Sequence, residues 1–433
     1  MTPAARLQAA AEVLDRIAGG RAPAEEALKQ WGRENRYAGS KDRRAIADRV
    51  YRCLRGRARL GWAMGREDGR ALVIGSLTLI DGLAIEEIEK LFTGEGYAPS
   101  PLKPNERERL TGAPGEPPAW VAAGLPEFVA EDFRRTFGPA WAEEAEALMA
   151  PRAPIDLRVN TARATVDGVE AELKAEGLEP ERTPWSAAGL RLKAEPPPNV
   201  QKLAAFREGR IEIQDEGSQI AALLAGAGPG MTIVDYCAGG GGKTLVLAQQ
   251  LAGQGLLVAC DVVQKRLDNI RPRLERADLH ADLRRLSEDG AGLEDLERQA
   301  DLVLVDAPCS GSGTWRRRPE DAFRLTESEV ERLHALQVAI LDRAAKLVKP
   351  GGRLVYVTCS MLSRENEQSA HAFEAAHPEF RPLPVAAALD TPAFTAAGRE
   401  RLAALADGGH KLRLSPYSTA TDGFFAVLYE RPA

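Results

Sequence analysis

The chain has 433 residues, 44% hydrophobic and 28% charged, which is an ordinary composition for folded soluble domains and enough for two or three cores. No apolar run approaches the roughly 20 residues needed to span a bilayer, and the N-terminal stretch, rich in Ala, Glu and Arg, lacks a signal-peptide core, so a cytosolic protein without a membrane partner is expected. Five cysteines (53, 237, 260, 309, 359) with no C-x-x-C pair, and five scattered histidines, argue against a disulfide framework and against a metal site.

The formal net charge of −6 argues mildly against a nucleic-acid binder, but it is unevenly spread. Residues 1 to 70 hold sixteen Lys/Arg against nine Asp/Glu, a local +7 that suits docking on a polyanion, with a solvated Arg-rich surface as the plain alternative. In this region "AARLQAAAEVLDRIAGG" spaces Leu7, Val13, Leu14 and Ile17 for a helix that ends on Gly19-Gly20. "KDRRAIADRVYRCLRGRARLGWAM" reads as another helix with an Arg-studded face, and an all-helical basic domain is expected over residues 1–115. Pro and Gly crowd "SPLKPNERERLTGAPGEPPAW", which reads as a linker. A small α+β domain is expected over 116–200: helix-like "AWAEEAEALMA", strand-like "IDLRVNT", helix-like "VDGVEAELKAEG" and the short strand "GLRLKA".

Over residues 201–433 the apolar strands "TIVDYC", "LLVACDV", "LVLVDAP" and "RLVYVTCS" alternate with helical segments. That alternation predicts a parallel sheet with helices on both faces and ligands at the carboxyl ends of the strands. At the first such end stands "VDYCAGGGGKTLVLA". A phosphate loop of the Walker type reads G-x-x-x-x-G-K-[ST], which puts Cys237 where the first glycine belongs; the dinucleotide pattern G-x-G-x-x-G puts its third glycine on Thr244. Both readings fail. A strand, a glycine loop, a helix, and an acid (Asp261) ending the next strand suit a cofactor with a ribose, whose two hydroxyls one carboxylate accepts together.

Two cysteines, Cys309 in "DAPCSGSGTW" and Cys359 in "VTCSM", follow apolar strands where side chains leave the core. A thiolate beside a methyl donor fits methylation of pyrimidine C5, because that carbon becomes nucleophilic only after something adds to C6. Either thiol suits the attack. Asp306 is placed to hydrogen-bond the cytosine N3 and amino edge as charge develops. Trp315 with Arg316-Arg317-Arg318 reads as a stacking aromatic beside phosphate-binding cations, and Lys243 as either near the target nucleotide or exposed. Cys53 and Cys260 read as packing; Arg158 and Asn160 in "LRVNT" receive no role.

The motifs "IQDEGSQ", "DYCAGGGGKT", "DAPCSGSGTWRRRPE", "LQVAILDRAAKLVKPGGRLVYVTCS", "REN" and "TDGFF" resemble the Sun (RsmB-type) family of S-adenosylmethionine-dependent RNA cytosine-5 methyltransferases, in register from about residue 118 onward. The basic segment before them resembles, more weakly, a NusB-like RNA-binding domain. The resemblance implies a Rossmann-like methyltransferase domain preceded by a small α+β domain and an all-helical domain. It implies that Cys237, Ala238, Gly239, Gly240, Gly241, Gly242, Lys243, Asp261, Asp289 and Asp306 hold or border S-adenosylmethionine. It further implies that Cys359 is the nucleophile, that Cys309 assists product release, and that the partner is RNA, with small-subunit ribosomal RNA ahead of transfer RNA. A noncatalytic RNA-binding factor and a DNA or small-molecule methyltransferase are the competing classes. The family usually carries Cys-Ala-Ala-Pro-Gly-Gly-Lys where this chain has Cys-Ala-Gly-Gly-Gly-Gly-Lys, so a more flexible loop is expected.

Overall fold

The computed structural model describes residues 1–20, 22–112, 115–149, 152–193, 197–406 and 408–433. Ala113 and Pro114 of the expected linker, Ala150 of the expected helix and Ala194 of the expected strand lie outside them. The chain forms two compact units, Met1–Arg152 with Trp315–Leu325, and Ala153–Thr314 with Thr326–Ala433.

The first unit is helical. Thr2 caps its opening helix, Pro3–Gly19, by accepting from the Ala5 N–H at 3.2 Å, and Pro3 at the first position loses no intrahelical bond. Leu7, Leu14, Trp31, Ile46, Val50, Leu54, Leu72 and Ile74 form its core. The basic stretch expected as one helix is two, Ser40–Arg55 and Arg57–Met64, divided at Gly56, where a helix interior is costly. Part of the expected linker is also helical, over Pro104–Thr111. Buried Glu106 accounts for this: its carboxylate accepts the Lys103 N–H at 2.9 Å and pairs with Arg70 at 2.8 Å. The helix Trp141–Met149, read from sequence with the middle domain, and the helix Glu127–Phe137, which was not read from sequence, both cluster with this unit.

Trp315–Leu325 groups with this unit, which corrects the reading of Trp315 as a stacking ring with Arg316 at the phosphates, while Arg317 is half-buried and Arg318 exposed. Trp315 is 0% exposed and Arg316 is buried, so no base can stack on that ring. The segment is held by backbone partners: Glu320 accepts the Ala24 N–H at 2.8 Å, Arg324 donates to Ile17 O at 2.7 Å, and Arg55 donates to Arg316 O at 3.3 Å. A large apolar side chain gains more from the core than from water, and sequence proximity to the strand end did not reveal which core it would enter.

The second unit holds two sheets. Strands β1 (Ile155–Val159), β2 (Pro180–Arg182), β3 (Gly189–Leu192) and β4 (Ile211–Ile213) form a small antiparallel sheet in the order β2-β3-β1-β4, so its last strand lies beyond residue 200. The larger sheet contains β5 (Thr232–Tyr236), β6 (Leu256–Asp261), β7 (Asp282–Arg285), β8 (Ala300–Asp306), β9 (Val348–Thr358), β10 (Arg381–Pro382), β11 (Lys411–Leu414) and β12 (Phe424–Glu430). Its order is β10-β12-β9-β8-β5-β6-β7, with β11 also on β12. From β9 to β7 the strands are parallel; β12 is antiparallel to β9.

Both faces of the sheet are covered. Along β8, Leu302 and Leu304 join one apolar cluster while Val303 and Val305 join the other, the two-residue period of a strand buried on both sides. The chain leaves β5 toward β6 on one side and returns at β8 on the other, which opens a crevice at the carboxyl ends of these strands. This is the Rossmann-like arrangement that the four apolar strands predicted. The antiparallel edge carrying β10, β11 and β12 was not foreseen.

Candidate active site

β5 delivers the chain into the glycine loop. Cys237 (φ 66°), Gly239 (φ 57°) and Gly241 (φ 80°) take left-handed backbone, and Gly242 opens the helix Gly242–Leu251. Gly241 is also a close approach, since a Cβ there would stand 2.9 Å from Ile270 side-chain atoms. Three side chains pin the loop. Asp261 accepts the Gly239 N–H at 3.1 Å, Gln214 donates to Gly242 O at 3.2 Å, and Arg273 donates to Gly240 O. These anchors oppose the flexibility expected from the missing proline.

Gln214 is itself oriented by Arg158, whose Nε donates to Gln214 Oε1 at 2.8 Å. Burial pushes the Arg158 pKa down to about 10. Asn160 donates to Gly209 O at 3.2 Å and Ala277 O at 3.0 Å. Arg158 and Asn160 thus tie the small sheet to the cofactor-loop side of the large one, a role that only their partners disclose.

The acids occupy successive strand ends. Asp261, buried at the end of β6, also accepts the Val263 N–H at 2.8 Å. Asp289 lies exposed in the turn after β7, and the Ser287 hydroxyl and the Ala291 N–H hold its carboxyl below the usual range. Asp306 ends β8 and pairs with Lys243 Nζ at 2.7 Å. Lys243 is therefore neither exposed nor unpaired: it is buried, with its ammonium 5.0 Å from the centroid of the Phe424 ring. Burial works against this charge, but Asp306 outweighs it and holds the ammonium above its ordinary pKa. Asp235, inside β5, accepts the Thr244 hydroxyl at 2.6 Å, and burial pushes its carboxyl up to about 7.

β8 and β9 are hydrogen-bonded neighbours, so the turns that follow them meet. Cys309 and Cys359 lie there with their Sγ atoms 3.4 Å apart. The hydrogen bond to Cys359, then burial, raises the Cys309 thiol well above its usual value. Beneath the pair sits Glu365, fully buried, the acid of the "REN" stretch. It accepts from the Ser310 N–H at 2.8 Å, the Ser310 and Ser360 hydroxyls at 2.5 Å each, and Gln337 Nε2 at 3.1 Å. Asn366 accepts the Thr358 hydroxyl at 2.6 Å and donates to Ser360 O at 2.8 Å. Glu365 and Gln214 are the site-supporting residues that the sequence reading did not single out; each stood in a quoted motif, and a buried charge has no local sequence signature. Cys53 and Cys260 are both fully buried, as packing residues.

Comparison with known proteins agrees with this geometry. A family model described as 16S rRNA methyltransferase RsmB/F matches residues 222–430, and the Methyltr_RsmF/B-like, ferredoxin-like domain matches residues 125–199. The chain is 30% identical over 304 residues to the probable ribosomal RNA small subunit methyltransferase B of Bacillus subtilis, covering 69% of this chain and 65% of that protein. It is 34% identical over 299 residues to ribosomal RNA small subunit methyltransferase B of Pseudomonas putida, covering 68% and 64%. The match therefore spans a little under two thirds of these relatives' own length. Among solved structures, PH0851 superimposes with a TM-score of 0.77 at 26% identity over 99% of both chains. A methyltransferase homolog protein from Pyrococcus horikoshii gives 0.59 at 27% identity over 72% of this chain and 97% of that one. With its ferredoxin-like region and its Rossmann-like region, the chain belongs to the RsmB/F family of S-adenosylmethionine-dependent methyltransferases.

Proposed function

We propose that this protein methylates C5 of a cytosine in small-subunit ribosomal RNA, in the cytosol, through a covalent bond between Cys359 and C6. The observation that carries the reading is the pair of thiols 3.4 Å apart beyond the ends of β8 and β9, on the same crevice as the Asp306–Lys243 pair. The helical segment 1–115, with its excess of cations, is assigned to RNA binding as a NusB-like domain, ahead of a small domain over 116–200 and the catalytic domain over 201–433.

The residues present fit S-adenosylmethionine. Gly239 and Gly241 keep side chains away from the loop, and the Asp261 oxygens, each accepting one backbone N–H, retain lone pairs for ribose hydroxyls. The loop from Cys237 to Lys243, with Ala238, Gly240 and Gly242 between, is assigned to the amino acid and ribose portions, and Asp289 to the border of the adenosine. When bound, the cofactor supplies an electrophilic methyl group.

In the proposed chemistry the Cys359 thiolate adds to C6, and the C5–C6 π electrons pass into the ring toward N3. Asp306 accepts a hydrogen bond from the cytosine amino group, and the Lys243 ammonium that it holds supplies the positive charge that stabilises the electron density gathered at N3. C5 then takes the methyl group. Cys309, as thiolate, takes the C5 proton, the electrons of that C–H bond restore the C5–C6 double bond, and the Cys359 thiolate is expelled. The target base must be flipped out or already unpaired to reach thiols at a strand end.

Purified protein incubated with labelled S-adenosylmethionine and a panel of RNAs tests the reading. Label recovered as 5-methylcytosine in small-subunit ribosomal RNA supports it; no transfer to any RNA removes it, and transfer to transfer RNA alone moves the substrate assignment.

A further inference from the structure

One turn of the helical unit gathers a cluster of cations. Between the helices Ala24–Glu34 and Ser40–Arg55, the turn and its flanks read Arg33-Glu34-Asn35-Arg36-Tyr37-Ala38-Gly39-Ser40-Lys41-Asp42-Arg43-Arg44. Its two acids are committed elsewhere: Glu34 pairs with Arg16 at 2.9 Å, and Asp42 pairs with Arg6 at 2.8 Å and with the N-terminal amine at 3.3 Å. Among the described residues, Arg33, Arg36, Lys41 and Arg44 are exposed and have no ion-pair partner. Asp48, one turn past Arg44, is the nearest further acid along that helix. Amid these cations stands Tyr37, 66% exposed, with a ring that no core residue covers. The same two helices border a cleft of about 440 Å³, walled by Leu28, Ile46, Ala47 and Tyr51, with Arg33 and Arg43 on its lining and its one acid, Glu25, paired with Lys29 at 2.5 Å.

We infer that this turn and cleft form a binding site for single-stranded RNA, separate from the thiol site. Tyr37 is a platform on which a base stacks, the unpaired cations take the adjoining phosphates, and the cleft admits a neighbouring unstacked base. The argument is one of compensation. Four cations without partners repel one another and lower their energy by meeting phosphates, while an exposed aromatic ring gains by covering itself with a base face. A duplex offers the phosphates but hides its base faces, so the ring selects the single strand. The trio of cations, ring and cleft is what separates this site from a merely solubilising Arg-rich surface.

The inference rests on the reading of the protein as an RNA-modifying enzyme. Its test uses the full chain with a short unstructured oligoribonucleotide and a duplex RNA of equal length, read by fluorescence anisotropy, beside methyl transfer to ribosomal RNA. Tyr37→Ala should weaken single-strand binding about tenfold and leave duplex binding unchanged, while Tyr37→Phe keeps the affinity. Arg36→Ala with Arg44→Ala should lower the salt dependence of single-strand binding by about 0.7 in logarithmic slope for each phosphate left without its cation. Because Tyr37 supports no core, these variants should melt as the parent does. Tyr37→Ala binding both RNAs as the parent does overturns the inference, and so does an equal loss for strand and duplex. Tyr37-dependent binding with no methyl transfer to any RNA leaves this site standing and removes the proposed function instead.

Discussion

The Sγ atoms of Cys309 and Cys359 lie 3.4 Å apart, although 50 residues separate them in the chain. Parallel pairing of β8 with β9 brings the two turns together, and Glu365 fastens them by accepting from Ser310 on one side and Ser360 on the other.

The two thiols should respond differently to mutation. Cys359→Ala should abolish methyl transfer and trap no RNA, because no bond to C6 forms. Cys309→Ala should permit attack and methylation but stall before elimination, accumulating an RNA–protein species that survives denaturing electrophoresis and disappears in the double variant. The opposite pattern would exchange their roles. Activity retained in both single variants would return both cysteines to packing.

Glu365 should act on the thiols through position alone. Glu365→Gln replaces an acceptor of four hydrogen bonds with a group that presents its own N–H donors to Ser310 and Ser360, and each buried group left unpaired costs about 1 to 3 kcal/mol. The expected result is a lower Tm and a lower kcat, with cofactor affinity unchanged by calorimetry because the glycine loop has separate anchors. A parallel loss of cofactor affinity would show that Glu365 supports the whole crevice.

Asp261→Ala should weaken S-adenosylmethionine binding tenfold or more, since charge-assisted hydrogen bonds contribute about 1.5 to 3 kcal/mol each. The structure adds a second cause: the same carboxylate accepts the Gly239 N–H, so its loss also frees the loop. Undiminished affinity by calorimetry would mean the ribose lies elsewhere.

Asp235 should leave a mark on the pH dependence of stability. Burial raises its folded pKa from 3.8 to about 7, so the folded state holds the proton more tightly than the unfolded chain. Stability from this group is complete below about pH 4, falls as pH rises toward 7, and is flat above, a change on the order of a few kcal/mol. Asp235→Asn should flatten that descent in urea melts taken across this range. Glu216, also pushed up to about 7 by burial, titrates in the same window and accounts for the slope that remains. An identical profile in the parent and the variant would show that Asp235 is ionised in the folded protein.

Removing residues 1–110 should destabilise more than RNA binding. Trp315 and Ala322 are fully buried in the helical unit, and Glu320 and Arg324 bond to the backbone at Ala24 and Ile17. The truncated chain should expose this segment, melt several degrees lower and bind more of an apolar dye. An unchanged melt would show that the segment stands without those helices.

The placement of the candidate site at the strand ends was legible locally. Glycines that must take positive φ, acids at strand ends and thiols where apolar runs stop are each dictated by a short stretch of chain, so the cofactor loop, Asp261, Asp306, Cys309 and Cys359 were all named from sequence. The existence of a parallel sheet covered on both faces was legible too, because unbroken apolar runs such as "LVLV" have only a two-sided sheet interior to enter, whereas the order of its strands was not. What the linear pattern lacked was partnership between distant residues. The burial of Trp315, the burial of Lys243 on Asp306, and the bond between Glu365 and two separate turns depend on which surfaces meet after folding. A charged side chain reads the same in sequence whether it faces water or a buried partner. Tertiary structure decides which, because a carboxylate such as Glu365 can lie fully inside the protein only where several donors from other segments converge on it.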